Sequence, residues 1–294
     1  MESHSQSVWN RGTGPALSAG RPCGRCTVSS MEASGAERLD RLLARRGLFP
    51  SRTAAARAVR AGQVRIGRDG PTALRPSQEV AVDQDLLIEG PPPFVSRGGV
   101  KLENALDGLG LVVEGTRCLD VGASTGGFTD CLLKRGASSV IALDVAYGQL
   151  HQGLRTDPRV TVIERTNARE LEPADLPFVP NLVTIDVSFI SLRKVLPAVT
   201  QCVDRQGEIL AMVKPQFELG RERVGRGGVV RDESDRREAV ITVADFASGL
   251  GLSLLGVVPS GLPGPKGNRE TFLRLGRAGD GFRSGEQLCE GIEL

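Results

Sequence analysis

Lysine is scarce in this chain, which makes its positions informative. Arginine supplies most of the positive charge, and only Lys101, Lys134, Lys194, Lys214 and Lys266 are lysines. A lysine can be tuned to give up its proton, whereas an arginine stays charged. Lys214 follows the apolar run Ile209-Leu210-Ala211-Met212-Val213 and precedes Pro215. At the end of a buried strand, desolvation would lower its pKa from about 10.4, and a nearby carboxylate would oppose that shift. Asp186 follows a second apolar run, Leu182-Val183-Thr184-Ile185. Glu270 opens the last predicted strand, and Lys101 lies near the start of a predicted helix. Lysines and carboxylates at strand ends are the equipment for removing a proton from a weakly acidic group. Taken alone, Lys101 reads as a surface residue and Glu270 as a strand acid.

A second kind of chemistry lies in Cys118-Leu119-Asp120-Val121-Gly122-Ala123-Ser124-Thr125-Gly126-Gly127-Phe128. An apolar strand runs into a glycine-rich turn, and a helix starts near Gly126. Glycines let the backbone approach a ligand that a Cβ would push away, and the new helix offers free N–H groups there. Twenty-two residues past Gly122, Val140-Ile141-Ala142-Leu143 ends in Asp144, a carboxylate well placed for the hydroxyls of a ribose. The spacing is not Gly-x-Gly-x-x-Gly, so the dinucleotide fingerprint fails. Asn167, with Ala168 beside it, follows a third apolar run and could edge an adenine.

Regular alternation of strand and helix must position these residues. Strands are predicted near 117–121, 139–144, 160–164, 182–187, 207–213, 252–258 and 270–275, with helices near 126–136, 147–154, 192–203 and 233–249. This order predicts an α/β fold with a parallel sheet covered on both faces. In such sheets the site lies beyond the carboxyl ends of the strands. A last strand entering antiparallel brings its beginning to that same edge, and so places Glu270 beside Asp186 and Lys214.

The region before the sheet differs in character. Arg38 to Gly47 has helical spacing of its leucines and a glycine stop. Ser51 caps a second helix, Arg52 to Ala61, and short strands follow at 64–66, 79–82 and 86–88. Between Arg38 and Gly70 stand nine arginines against two aspartates, an electrostatic footprint for a phosphate backbone. Few aromatics lie here, so shape and phosphate contacts, rather than base stacking, are expected to dominate.

At 294 residues with 37 basic and 35 acidic side chains, the chain holds one large or two ordinary domains, and its global charge decides little. Residues 1–35 read as a disordered tail without the apolar core of a secretory signal, with Met31 as an alternative start. Cys23-Gly-Arg-Cys26 lacks a second pair or a His cluster, so no metal is expected. Six scattered cysteines suit a reducing cytoplasm, and no apolar run is long enough for a transmembrane helix. Residues 91–96 read as a proline-stiffened linker, 218–231 as either a mobile RNA-facing lid or a plain surface loop, and 278–294 as a second disordered tail.

Three resemblances draw these readings together. Asp-x-Gly-x-x-x-Gly-Gly-Phe resembles the first motif of S-adenosyl-L-methionine-dependent methyltransferases. The stretch from Arg38 to Gly70 resembles the RNA-binding module of ribosomal protein S-four, over about residues 36–90. Lys101, Asp186, Lys214 and Glu270 look like the Lys-Asp-Lys-Glu tetrad of FtsJ-like ribose 2′-O-methyltransferases. Together with "SRGGVKL", "DVSFISL", "VKPQFE" and "GNRETFL", the chain is similar to the TlyA (hemolysin A) family of rRNA methyltransferases over roughly residues 37–277. The resemblance implies a Rossmann-like seven-stranded methyltransferase sheet with its last strand antiparallel, at 97–277, behind an α+β RNA-binding domain at 36–90. It implies transfer of a methyl group to a ribose 2′-hydroxyl of ribosomal RNA, at a cytidine, by a cytoplasmic monomer. It assigns the tetrad to catalysis. It assigns Asp120, Gly122, Ala123, Ser124, Thr125, Gly126, Gly127, Phe128, Asp144, Asn167, Ala168 and Asp186 to the cofactor. RNA binding falls to Arg38, Arg41, Arg52, Arg57, Arg60 and Arg65, with Ser188 as a polar substrate contact. Phe189 belongs either to the core or against the target base or cofactor. Two other classes stay open: an inert RNA-binding assembly factor, and the membrane lysis suggested by the hemolysin name, which no signal, span or amphipathic basic helix supports.

Overall fold

Ser51 shows how local chemistry sets the first elements. Its side chain accepts a hydrogen bond from the Ala54 N–H at 3.1 Å, satisfying one of the donors a helix start leaves open. The computed structural model describes residues 35–277 except Pro50, Pro91, Pro92, Arg226 and Pro265. The expectations for 1–34, including Cys23, Cys26 and the start at Met31, and for 278–294 lie outside the described residues.

The N-terminal part consists of strand β1 (Ala36–Arg38), helices α1 (Leu39–Arg45) and α2 (Arg52–Arg60), and strands β2 (Val64–Ile66), β3 (Glu79–Ala81) and β4 (Leu86–Ile88). The pairs are β1 with β3 and β2 with β4, both antiparallel. Leu39, Leu42, Leu43, Ala55, Val59 and Val64 form its buried core. Strand β1 departs from the helix start expected at Arg38, because a three-residue strand is too short to show a period.

Helix α3 (Arg97–Gly108) leads into the sheet. The order then runs β5 (Arg117–Val121), α4 (Gly127–Lys134), β6 (Ser139–Leu143), α5 (Gln152–Arg155), β7 (Val160–Ile163), β8 (Leu182–Ile185), α6 (Leu196–Cys202), β9 (Glu208–Val213), α7 (Pro215–Glu218), α8 (Glu233–Gly249), β10 (Leu252–Pro259) and β11 (Thr271–Arg277). The seven strands lie in the order β10-β11-β9-β8-β5-β6-β7. The contacts β9–β8, β8–β5, β5–β6 and β6–β7 are parallel, while β11 runs antiparallel to both β9 and β10. Two apolar layers cover the sheet. One packs Val240, Val243 and Leu196 against Ile185 and Ile209, and the other packs Leu102, Leu106 and Leu132 against Leu210 and Phe272. Strands buried on both faces read as continuous apolar runs, which is why these strands were legible.

The antiparallel register pairs Thr271 with Val213. It therefore brings Glu270 to the edge where Lys214 leaves β9. The helix expected at 147–154 shrinks to α5, because Gly148 takes a left-handed φ of 72° and its N–H is held by the Glu164 carboxylate at 2.8 Å. The helix expected at 192–203 divides into a short 3-10 turn, Leu192–Lys194, and α6, with Pro197 in the first turn of α6.

Candidate active site

Gly122 governs the turn at the end of β5. Its φ is 86°, and a Cβ there would come within 2.5 Å of the Asp186 carbonyl oxygen. Only glycine lets the turn lie against the end of β8, where the Asp186 N–H donates to the Val121 carbonyl at 2.9 Å. Ser124 takes a left-handed φ of 49°, and Gly126, at 96°, caps α4. The two acids near this turn both support it through hydrogen bonds. Asp120 is wholly buried, accepting from the Thr129 N–H at 2.9 Å, the Thr129 hydroxyl at 2.7 Å and the Thr184 hydroxyl at 3.2 Å. Burial pushes its carboxyl up to about 7, against the pull of those hydrogen bonds. Asp144 accepts from the Ser124 and Ala146 N–H groups, each at 2.7 Å, and so ties β6 to the turn.

Two lysine–carboxylate pairs stand across the mouth of the sheet. The Lys214 Nζ lies 2.5 Å from the Asp186 Oδ1 and donates to the Ser188 hydroxyl at 2.8 Å. Lys101, on α3, pairs with Glu270, and both are buried. Glu270 thus clasps Lys101 rather than Lys214. A Cβ at Gly264 would approach the Glu270 Oε1 to 2.7 Å, so the glycine leaves room for this pair. Arg97 stands nearby and donates to the Pro263 carbonyl at 2.8 Å. Its burial lowers its pKa, while Glu270 holds it up.

A cavity of about 750 Å³ gathers the four tetrad residues with Gly122, Ala123, Ser124, Thr125, Gly127, Phe128, Ser188 and Phe189. Asp120, Gly126, Asp144, Asn167 and Ala168 do not line it. For Asp120 the expected direct contact gives way to a supporting position, because its oxygens are enclosed beneath the turn. Asn167 bonds locally, donating to Glu170 at 3.0 Å and accepting from the Arg169 N–H at 3.2 Å. Phe189 is no core residue: it is 90% exposed, with a left-handed φ of 65°, and its ring centroid lies 5.2 Å from that of Phe217.

The N-terminal arginines divide into two groups. Asp40 is clasped by Arg38, at 2.9 Å, and approached by Arg52 at 3.6 Å, and these cations hold its carboxyl below the usual range. Arg65 donates to the Gly70 carbonyl at 3.0 Å and pairs with Glu89 at 3.1 Å. Arg41, Arg57 and Arg60 are exposed.

Several supporting residues escaped the sequence reading. Glu218 is buried, with its two carboxylate oxygens engaged by Ser191 and the Leu192 N–H. Burial pushes its carboxyl up, opposed by those hydrogen bonds. Asn268 accepts from the Val230 N–H at 2.9 Å and donates to the Gly228 carbonyl at 2.8 Å. With Arg223 paired to Glu238 at 2.5 Å, these bonds tether the segment expected as either a mobile lid or a plain surface loop. The signal available for Glu218 was a carboxylate four residues after Lys214, set between the apolar Phe217 and Leu219. Among the described residues no group of three or more His, Cys, Asp or Glu side chains is arranged to hold a metal ion, and no helix is long and apolar enough to cross a membrane.

Comparison with known proteins gives two family matches, to the FtsJ-like methyltransferases over residues 94–277 and to the S4 domain over residues 37–83. The chain is 48% identical over 257 residues, 87% of its length and 95% of the relative's, to the 16S/23S rRNA (cytidine-2′-O)-methyltransferase TlyA of Mycobacterium tuberculosis. It is 36% identical to the hemolysin A of Brachyspira hyodysenteriae over 79% of this chain and 97% of that protein. Among solved structures, a Streptococcus thermophilus protein described as a hemolysin matches with a TM-score of 0.66 at 40% identity, over 87% of this chain and 95% of that one.

Proposed function

This chain belongs to the FtsJ-like methyltransferases, in the branch that carries an S4 domain and the TlyA name, and from that premise we propose that it methylates a ribose 2′-hydroxyl of ribosomal RNA, at a cytidine, with S-adenosyl-L-methionine as donor. The observation that carries this reading is the meeting of the Lys101–Glu270 and Lys214–Asp186 pairs with the glycine turn in one cavity. Residues 36–90 serve as the RNA-binding domain, 91–96 as linker and 97–277 as the catalytic domain. Free, buried Cys118, Cys131 and Cys202 suit the reducing cytoplasm, where the enzyme acts as a monomer on rRNA or ribosomal subunits.

The residues fit such a donor. The turn at 122–128 lines the cavity with Gly122, Ala123, Ser124, Thr125, Gly127 and Phe128. Asp186 lines the same cavity and would supply negative charge near a sulfonium. Gly122, Ala123, Ser124, Thr125, Gly127 and Phe128 would hold the methionine end, and Asp144 and Asn167 the nucleoside. When bound, S-adenosylmethionine supplies an electrophilic methyl group for in-line displacement.

The chain's own residues do the rest. Holding the hydroxyl in line supplies much of the rate. A ribose hydroxyl is a poor acid, so a positioned base must take its proton as the bond forms. Lys214 is that base: its Nζ is buried at the strand end, aligned by Asp186 and Ser188. Arginine could not serve, because it has no accessible neutral form. The Lys101–Glu270 pair holds the hydroxyl from the opposite wall, and Phe189 and Ser188 meet the target nucleotide.

The test is transfer of labelled methyl groups to purified ribosomal subunits and to naked rRNA. The reading expects label on RNA in an alkali-resistant dinucleotide, the mark of 2′-O-methylation. Label on a base, or none on either RNA substrate while the cofactor binds, overturns it in favour of another methylation or an inert assembly factor.

A further inference from the structure

Two loops meet at the mouth of the sheet, one leaving β8 (186–194) and one leaving β9 (214–221). They are joined in successive steps. Nearest the sheet, Lys214 reaches Asp186 at 2.5 Å and Ser188 at 2.8 Å. Next, the Phe189 and Phe217 rings lie 5.2 Å apart. Beyond them stands Glu218, whose Oε2 accepts from the Ser191 hydroxyl at 2.5 Å and whose Oε1 accepts from the Leu192 N–H at 2.7 Å. Arg193 closes the step: its Nε lies 3.8 Å from the Glu218 Oε2, and its Nη2 donates to the Glu218 carbonyl at 3.3 Å.

Phe189 sits between the first and last of these steps in a conformation that a residue with a side chain rarely adopts. Its ring is 90% exposed, so burial does not hold it. Strained backbone persists only where its surroundings over-determine it. Here the restraint comes from residues 186–188 on one side and 191–193 on the other. Glu218 supplies the second restraint, and it is a buried carboxylate that takes no part in the methyl-transfer chemistry. Burying a carboxylate is costly unless its oxygens are satisfied, and the partners of this one, Ser191, Leu192 and Arg193, lie in the loop that carries Phe189.

We propose that Glu218 is a positioning residue that holds Phe189 out toward the target nucleotide. The proposal rests on the reading above that Phe189 meets that nucleotide. Glu218 acts on RNA capture through Phe189, and not on the cofactor.

The test is a double-substitution cycle in the full chain, with initial rates of subunit methylation and a separate measurement of cofactor affinity. Phe189→Ala should raise KM for the RNA substrate roughly tenfold, the scale of one lost base-stacking contact. Glu218→Ala should raise it by a similar factor, with cofactor affinity unchanged. The double variant should be no worse than Phe189→Ala alone, because residues acting as a unit are not additive. Glu218→Gln keeps the bond from the Leu192 N–H and can reach Ser191 only by donating to its hydroxyl oxygen, so its KM should stay closer to the parent's than to that of Glu218→Ala. Multiplication of the two effects, or a normal KM in Glu218→Ala beside an impaired Phe189→Ala, overturns the proposal. A normal KM in Phe189→Ala removes both the base contact and the proposal, while RNA labelling by the parent chain leaves the methyltransferase reading intact. Should Glu218→Ala fail to melt cooperatively, Ser191→Ala goes through the same cycle with the same two outcomes.

Discussion

At the mouth of the sheet, the four charged side chains of the tetrad are no more than 25% exposed, and each has its opposite within ion-pair distance. On α1 and α2, Arg41, Arg57 and Arg60 stand exposed. Both regions are built from charge, but the physical demands differ. A buried charge needs a fixed partner, and breaking the pair strands the survivor. An exposed arginine facing phosphate needs little beyond its sign and approximate position, and its effect is screened by salt. Chemistry is therefore concentrated in a few residues that tolerate no change, while RNA affinity is spread over many that each matter little.

The largest structural effect follows at the buried pairs. Lys101→Ala should lower unfolding stability by about 3–5 kcal/mol, since it leaves Glu270 buried without its cation. Lys101→Ala with Glu270→Ala should cost less than the sum of the singles. Urea titrations check both, and simple additivity would mean the pair is not coupled.

Asp120 sharpens the comparison, because it is a buried acid with no cation as partner. Its folded pKa is raised from the usual value near 3.8 to about 7. For a raised acid, the stabilising contribution is full below the unfolded pKa and is lost as pH rises through the folded one. The parent should therefore lose about 2–4 kcal/mol between pH 4 and pH 8 from this group, and Asp120→Asn should flatten that part of the profile. A profile identical to the parent's would show that Asp120 does not titrate there.

Smaller effects belong to the N-terminal module. Ser51→Ala removes the cap of α2 and should cost about 1 kcal/mol in a thermal or urea melt. Arg57→Ala should weaken RNA binding only a few-fold and reduce the slope of log affinity against log salt by about one. Loss of binding altogether in that single variant would break the contrast between the two regions.

Legibility followed the same division. Strands β8 and β9 were readable because both of their faces are covered, leaving nearly continuous apolar runs, with Asp186 and Lys214 standing at their ends. Glu270 was placed by topology alone: an antiparallel last strand must begin where the parallel ones finish. The excess of arginine was plain, but its division was not, because Arg65 is committed to Glu89, which lies 24 residues away in sequence. Asp120 looked like a ligand contact by its place before the turn, yet its oxygens are taken by Thr129 and Thr184. Glu218 was missed for the same reason, since its partners lie 26 and 27 residues earlier in the chain. Local pattern reveals which residues reach the sheet mouth, and only the packed structure reveals which of them face inward.

The central claim is that Lys214 moves the proton while the rest of the site holds the parts in place. Its most direct test compares Lys214→Ala with the parent chain in two measurements on the same preparation, cofactor affinity by calorimetry and labelled methyl transfer to ribosomal subunits. The account predicts near-parental cofactor binding with transfer lowered by about 10²–10⁴-fold. Transfer at close to the parental rate in that variant would contradict it.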